Sequence, residues 1–391
     1  MLRFQTAGES HGQALVAVLS GLPAGLAVDF AYVDRELKRR QGGYGRGGRM
    51  KIESDAAQFL SGVRHGRTIG SPITLLIENR DWKNWSEAMA VQDRPESRAK
   101  YKGLSPPRPG HADLAGCLKY NFPEARYVLE RASARETAAR VAAGAVAKLF
   151  LKEFGIDVAS HVVAVGDVAL ADDAVPFEKI LALRDREDVV LNCVDPEVEA
   201  RMKAVVDLAI EKRDTVGGTF EVIAHGAPPG LGSCAQWDER LDGMLAQAVM
   251  SIQAVKAVEI GPGIGNAAAF GSRVHDEIGY SRDAARFTRP SNRAGGLEGG
   301  ISNGEDIVVR GHLKPISTLR QPLESVDFAT KETVKAAYER SDVCVVPAGG
   351  VAGEAMVALV VARGLLEKFG GDSLEETRRN YNAYLEQVRR F

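Results

Sequence analysis

The sequence predicts a mixed helix-and-strand protein organised as a single large domain, and three observations carry that expectation. Short runs rich in β-branched residues recur along the chain, most of them bounded by Gly or Pro. Longer segments place apolar residues at helical spacing and open on recognisable caps. No fixed-period repeat and no long Pro/Ser-rich linker divides the 391 residues, so nothing compels a domain boundary.

Strands are expected at residues 14–20, 73–78, 159–165, 219–224, 306–311 and 343–347. The segment Ser133-Ala134-Arg135-Glu136 sets Ser three residues ahead of Glu, the pattern of a capping box. Behind it Ala138, Val141, Ala142, Ala145, Val146 and Leu149 mark one helical face, and Gly155 closes the element. A second helix is expected from about Asp238, with Leu241, Met244, Leu245, Ala248, Val249 and Ile252 on one side. A third, over residues 351–369, is apolar nearly all round and is expected to be buried. Ser373-Leu374-Glu375-Glu376 opens a polar C-terminal helix.

Composition narrows the function. Fifty Lys and Arg stand against 52 Asp and Glu, which gives no global polyanion-binding signature. The longest apolar run, near residues 355–362, falls short of the roughly 20 residues a membrane span needs. Cys117, Cys193, Cys234 and Cys344 form no CxxC pair, which argues against a zinc site and fits reduced, buried thiols. With no signal-peptide pattern ahead of the first Gly-rich motif, the chain reads as a soluble cytoplasmic protein.

Three long Gly- and Arg-containing connections, residues 41–51, 94–113 and 291–304, read as site-building loops. In Gly8-Glu9-Ser10-His11-Gly12 the glycines permit a tight turn beside a candidate proton donor, although a polar turn with an incidental His is the plainer alternative. Between Arg35 and Lys51 stand seven basic residues and the single acid Glu36. The Gly-rich part, Gly42-Gly43-Tyr44-Gly45-Arg46-Gly47-Gly48-Arg49, would let guanidinium forks converge on phosphate or carboxylate. An RGG-like RNA-binding segment and a solvated surface loop remain alternatives. The literal G-x-G-x-x-G at residues 43–48 follows a charged, helix-like stretch instead of a strand, and no Walker A loop is present. Arg108-Pro109-Gly110-His111-Ala112-Asp113 places a second loop His beside Gly. Arg131 and Arg135 flank the helix start at Ser133, an arrangement suited to an anion. Late in the chain, the Gly pairs of residues 291–304 and the run Lys314-Pro315-Ile316-Ser317-Thr318 supply donors for a phosphorylated cofactor.

Taken in order, these segments resemble the chorismate synthase family from Thr6-Ala7-Gly8-Glu9-Ser10-His11-Gly12 to Arg340-Ser341-Asp342. Between them lie Gly21-Leu22-Pro23-Ala24-Gly25, Gly62-Val63-Arg64-His65-Gly66, residues 39–49, 108–113, 131–137, 214–218 and 291–304, and Lys314 to Thr318. The resemblance implies an α/β fold of the α+β type, a β-α-β sandwich of antiparallel sheets and helices, and a homotetramer. It implies 1,4-elimination of phosphate from 5-enolpyruvylshikimate 3-phosphate, with reduced FMN as cofactor. NADPH or an external flavin reductase would keep that flavin reduced. Carried over by residue, His11 would protonate the leaving phosphate, His111 would act beside the flavin, and Asp342 would help remove the C6 hydrogen. The substrate would be held by Ser10, Arg40, Arg46, Arg49, Arg135 and Arg340, with Arg40 and Arg46 also the NADPH-contacting positions. FMN would contact Arg131, Ala132, Ser133, Gln253, Ala254, Gly299, Lys314, Pro315, Ile316, Ser317, Thr318 and Arg340. No metal is implied.

Overall fold

Two antiparallel sheets flank a layer of helices, the sandwich that the resemblance implies. The computed structural model describes residues 1–47, 55–93, 95–101, 103–171, 174–186, 190–283, 285–339 and 342–391, apart from the side chain at 96. The first sheet contains β1 (Arg3–Ala7), β2 (Ala14–Ser20), β3 (Gln58–Ser61) and β4 (Ile73–Glu78), in the order β1-β2-β4-β3. In β2 and β4 burial alternates, so Leu15, Ala17, Leu19, Ile73, Leu75 and Ile77 all face the core. The second sheet contains β5 (Asp157–Val165), β6 (Val168–Ala169), β7 (Gly218–His225), β8 (Val255–Ile260) and β9 (Ile307–Leu313), in the order β8-β9-β7-β5-β6. Its strands begin or end one to two residues outside the expected ranges, since the apolar run marks only the buried part of a longer ladder.

The longer helices organise the rest: α1 (Phe30–Gln41), α2 (Asp113–Tyr120), α3 (Arg126–Ala132), α4 (Thr137–Lys152), α5 (Pro196–Glu211), α6 (Leu241–Met250), α7 (Val346–Phe369) and α8 (Leu374–Arg390). Helix α4 packs on the first sheet and α7 on the second, and the two cross in direct contact. A Cβ at Gly144 would lie 2.3 Å from that of Ala355, so this crossing requires a glycine. One hydrophobic cluster runs from Leu15 in the first sheet through both helices to Val222 in the second.

Two expectations are corrected. Residues 343–347 form no strand; Val346 and Pro347 open α7, because Pro is pre-shaped for the first helical turn while its neighbours are simply buried. Helix α7 is also long and apolar enough to cross a membrane, contrary to the run-length estimate, yet 89% of its apolar window is buried between the sheets. The C-terminal cap forms as expected, with Ser373 Oγ accepting from Glu376 N–H at 3.2 Å. At Ser133 the cap is altered. Its Oγ accepts from Arg135 N–H, and Glu136 turns away to Thr6 and Arg140, which leaves a 3-10 turn (Ala134–Glu136) ahead of α4. All four cysteines are free; Cys117, Cys193 and Cys344 are buried and Cys234 is exposed.

The core carries a buried ionic network. Glu354 of α7, fully buried, accepts from Arg39 Nη2 of α1 (2.7 Å) and from Ser160 N–H of β5 (2.9 Å). It also takes Lys148 Nζ of α4, which bonds Glu36 at 2.5 Å. Burial pushes both Glu36 and Glu354 up, but the facing cations outweigh it and hold both carboxyls below their ordinary range, Glu354 far below. Replacing Glu354 by Gln leaves Lys148 and Arg39 with too little counter-charge, and should cost about 3–5 kcal/mol of stability. Glu367→Gln, at an exposed pair with Arg363, should cost under about 1 kcal/mol. Denaturant midpoints of the two variants check this contrast. Because the folded carboxyls titrate below the unfolded ones, their stabilisation is complete above about pH 4.5 and declines as pH falls through that value.

Candidate active site

Helices α2 and α3 form a short hairpin, reversed at Asn121 in a left-handed conformation (φ 55°), and each anchors one of the candidate histidines. His11 lies in the turn between β1 and β2. That turn is fixed from below: Ser10 N–H donates to Glu130 O (2.9 Å), and Asn79 Nδ2 donates to Ser10 O (3.2 Å) and Gly12 O (2.9 Å). Glu130 of α3 then receives His11 twice, through the backbone N–H (2.7 Å) and through Nδ1 (2.9 Å). Burial raises the Glu130 carboxyl, but its bonds to His11 and the nearby Arg126 keep it below the ordinary range. The Trp85 ring lies 4.1 Å from the His11 ring, centroid to centroid. Ser10, 3% exposed, receives the Ser133 hydroxyl at 3.3 Å, which joins two expected ligand positions.

His111 is held differently. Its Nδ1 is 2.5 Å from Asp113 Oδ1 at the start of α2 and 3.1 Å from Arg108 Nη2. Arg108 Nε donates to Asp113 Oδ2 (2.8 Å) and its Nη1 to Thr318 Oγ1 (3.1 Å), so the loop 108–113 is tied to the expected cofactor run. Burial raises the Asp113 carboxyl, but His111 and Arg108 together pull it well below its usual range. Lys314 Nζ donates to Gly110 O, and Thr215 Oγ1 supports the same run from behind at Ile316 O (2.8 Å). Pro315 and Ser317 lie within this run, and the Cβ of Ser317 would sit 3.6 Å from one added at Gly110.

The arginines divide into two groups. Arg39 turns into the core network, so it serves the fold. Arg40 and Arg135, 4% and 7% exposed, converge on one carboxylate oxygen of Asp55 at 3.1 and 2.5 Å. Burial, with Arg135 and Arg46 nearby, outweighs Asp55 and pushes the Arg40 guanidinium down to about 10. Arg46 Nε pairs with Asp342 Oδ2 at 3.3 Å, and Asp342 Oδ1 accepts Gly47 N–H at 2.6 Å. Gly45 makes this fold-back possible: it has φ +84°, and a Cβ there would press within 2.9 Å of Val206 Cγ1. Three mostly buried guanidiniums thus gather around Asp55 and Asp342, a cluster whose planar forks suit an anion. Arg39, Arg40 and Arg46 all turn inward onto carboxylates. Arg49 and Arg340 lie outside the described residues.

Most expected cofactor positions form one connected ridge. Arg131, in the last turn of α3 beside Ala132, donates through Nη2 to Thr6 Oγ1 (2.7 Å); Thr6 donates to Glu136 (2.6 Å), and Glu136 accepts from Gln253 Nε2 (3.2 Å). The Gln253 Oε1 is buried with no hydrogen-bond partner among the described residues. Ala254 follows at φ +69°, a conformation that costs a non-Gly residue about 1–2 kcal/mol, and its carbonyl accepts Lys314 N–H at 3.0 Å. Burial, and next Lys256, push the Lys314 ammonium down. An unpaired buried acceptor, a strained turn and a desolvated cation together fit a ligand that carries N–H donors and a phosphate. Gly299 stands apart. Its neighbour Gly300 accepts Leu241 N–H (2.9 Å) where α6 begins, whereas Gln253 follows the far end of that helix. Ten residues of helix, about 15 Å, separate the two ends.

Sequence reasoning missed the supporting shell: Glu130, Asp55, Trp85 and Arg126 belong to no Gly-rich motif. A signal existed only for Arg126 and Glu130, whose i,i+4 spacing lets them pair on one helix face at 3.3 Å. His161 is excluded from the site: it is buried in β5 with Nε2 on Glu221 at 3.0 Å. Among the described residues no group of His, Cys, Asp and Glu is placed to hold a metal.

Known proteins match this chain along its whole length. The family model described as chorismate synthase matches residues 2–366. A protein from Acidobacterium capsulatum named chorismate synthase is 67% identical over 100% of both chains. One of the same name from Aquifex aeolicus is 54% identical over 100% of this chain and 99% of its own. A solved structure described as "Crystal Structure of Chorismate Synthase" superposes with a TM-score of 0.80 at 45% identity, covering 100% of this chain and 99% of that one. Sharing that fold, these motifs and this identity from end to end, the chain belongs to the chorismate synthase family.

Proposed function

We propose that the chain catalyses the 1,4-elimination of phosphate from 5-enolpyruvylshikimate 3-phosphate, giving chorismate for aromatic amino-acid synthesis, with reduced FMN as cofactor. The observation that carries this reading is the gathering of the buried Arg40, Arg135 and Arg46 guanidiniums around Asp55 and Asp342, with Ser133, two residues before Arg135, bonded to Ser10 in the His11 turn. A substrate with one phosphate and two carboxylates is complementary to such a cluster of planar forks. Each charge-assisted contact contributes roughly 1.5–3 kcal/mol in such a site. In the reaction the C3–O bond breaks, the C6–H bond is lost as a proton and a new double bond forms, so no net oxidant or reductant is consumed.

His11 protonates the departing phosphate through Nε2, its Nδ1 being engaged by Glu130. Asp342, held by Gly47 N–H and Arg46, is the carboxylate proposed to accept the C6 proton. Arg131, Ser133, Gln253, Ala254, Lys314 and Thr318 would hold FMN, with His111 beside it on the loop that Lys314 fastens. When bound, the reduced flavin supplies electron density to the substrate ring and is recovered unchanged. NADPH at Arg40 and Arg46, or an external reductase, would keep it reduced. Exposed Phe270, Tyr280, Phe287 and Phe391 support the proposal that copies of this chain assemble as a tetramer, and the cytoplasm is the proposed compartment.

Three measurements test this reading. Under anaerobic conditions phosphate release should require reduced FMN, with the flavin spectrum unchanged after many turnovers; equal release without flavin refutes the assignment. Arg46→Ala should raise KM about 10- to 100-fold, with Arg46→Lys only partly restored, because an ammonium cannot reproduce the planar fork. An unchanged KM in the Ala variant would return this loop to a structural role. His11→Ala and His111→Ala should each lower kcat about 10²–10⁴-fold, while His161→Gln, at the Glu221 pair, leaves kcat within about threefold.

A further inference from the structure

Glu130 belongs to none of the positions expected to touch a ligand, yet it is bonded to both the ring and the backbone of His11. Its carboxylate, 1% exposed, lies with Oε1 2.9 Å and Oε2 3.2 Å from His11 Nδ1, and Oε2 accepts the His11 backbone N–H at 2.7 Å. Arg126, one turn back on α3, braces Oε1 at 3.3 Å, donates to Glu339 at 2.8 Å and lies 5.3 Å over the Trp85 ring. Trp85 in turn lies against the face of His11, so carboxylate, guanidinium, indole and imidazole hold one another in place.

We propose that Glu130 is a positioning residue that fixes His11 as the Nδ1–H tautomer and so makes Nε2 the only ring nitrogen able to exchange a proton with the substrate. An ionised carboxylate only accepts hydrogen bonds, so Nδ1 must carry the hydrogen it donates. The second proton of the imidazolium then resides on Nε2, and the paired carboxylate stabilises that cation while it waits to donate. Without such a partner either nitrogen can hold the proton, and a fraction of the enzyme presents the wrong edge. The bond to the His11 amide has a separate effect: it stops the turn from carrying the ring away from α3. The inference rests on the reading of His11 as the proton donor to the leaving phosphate.

The test uses the full-length protein with ¹⁵N-labelled histidine and no ligand, with the His11 signals assigned from His11→Ala. In the unaltered protein the neutral His11 ring should show a protonated Nδ1 and a bare Nε2. Glu130→Gln, whose amide can donate to Nδ1, should shift the ring toward Nε2–H. Its kcat should fall about 10²-fold or more with KM within about threefold, and Glu130→Asp should recover at least tenfold of that loss. An Nε2–H tautomer in the unaltered protein overturns the proposal, and this spectrum needs no variant to fold. So does a folded Glu130→Gln that retains both the parental tautomer and the parental kcat. A tautomer change in Glu130→Gln together with a His11→Ala enzyme of normal kcat would refute the proton-donor role of His11 and leave the tautomer assignment to Glu130 standing.

Discussion

The burial of Glu354 between the two sheets is the constraint on which the rest of the structure depends. A carboxylate removed from water is strongly unfavourable unless it is paired and hydrogen-bonded. Here the partners come from four different elements: Arg39 of α1, Lys148 of α4, Ser160 of β5 and Arg184 of the turn after residue 182. Apolar packing alone tolerates sliding of one helix along another, but this network is satisfied in one register only. The same register seats Gly144 against Ala355, where no larger residue would fit.

That register also sets the site. Arg39 and Arg40 are neighbours at the C-terminal end of α1, and fixing Arg39 on Glu354 sends Arg40 the other way, to Asp55 and Arg135. One basic run therefore divides between the charge cluster of the core and that of the candidate site. In the core, Glu36, Glu354 and Asp157 answer Lys148, Arg39 and Arg184. In the other cluster Arg40 and Arg135 share Asp55, Arg46 pairs with Asp342, and burial disfavours the charged form of Arg40. Buried guanidiniums held this close together are the feature on which the proposed anion binding rests.

The histidines follow the same logic of paired supports. His11 and His111 sit on flexible-looking turns, yet each Nδ1 is engaged by a buried carboxylate at the helix hairpin α2–α3. Positioning by a rigid hairpin allows candidate site groups to come from loops without inheriting loop mobility.

The sequence by itself determined the alternating strands 14–20 and 73–78, the cap at Ser373, the burial of α7 and the family, because these depend on local periodicity or on ordered motifs. It also singled out His11, His111, Arg40, Arg46 and Arg135 as a group. Only the tertiary structure decided which arginine serves the core and that residues 343–347 begin a helix. The same holds for Glu130, Asp55 and Trp85, which complete the site. A lone carboxylate 119 residues from its histidine leaves no periodic trace, since their proximity is produced by the sheet order and the helix crossing and by nothing local. Residues 343–347 misled for a related reason: a short buried apolar run looks alike in strand and helix, and what distinguishes them is whether the neighbours are another strand or two packed helices.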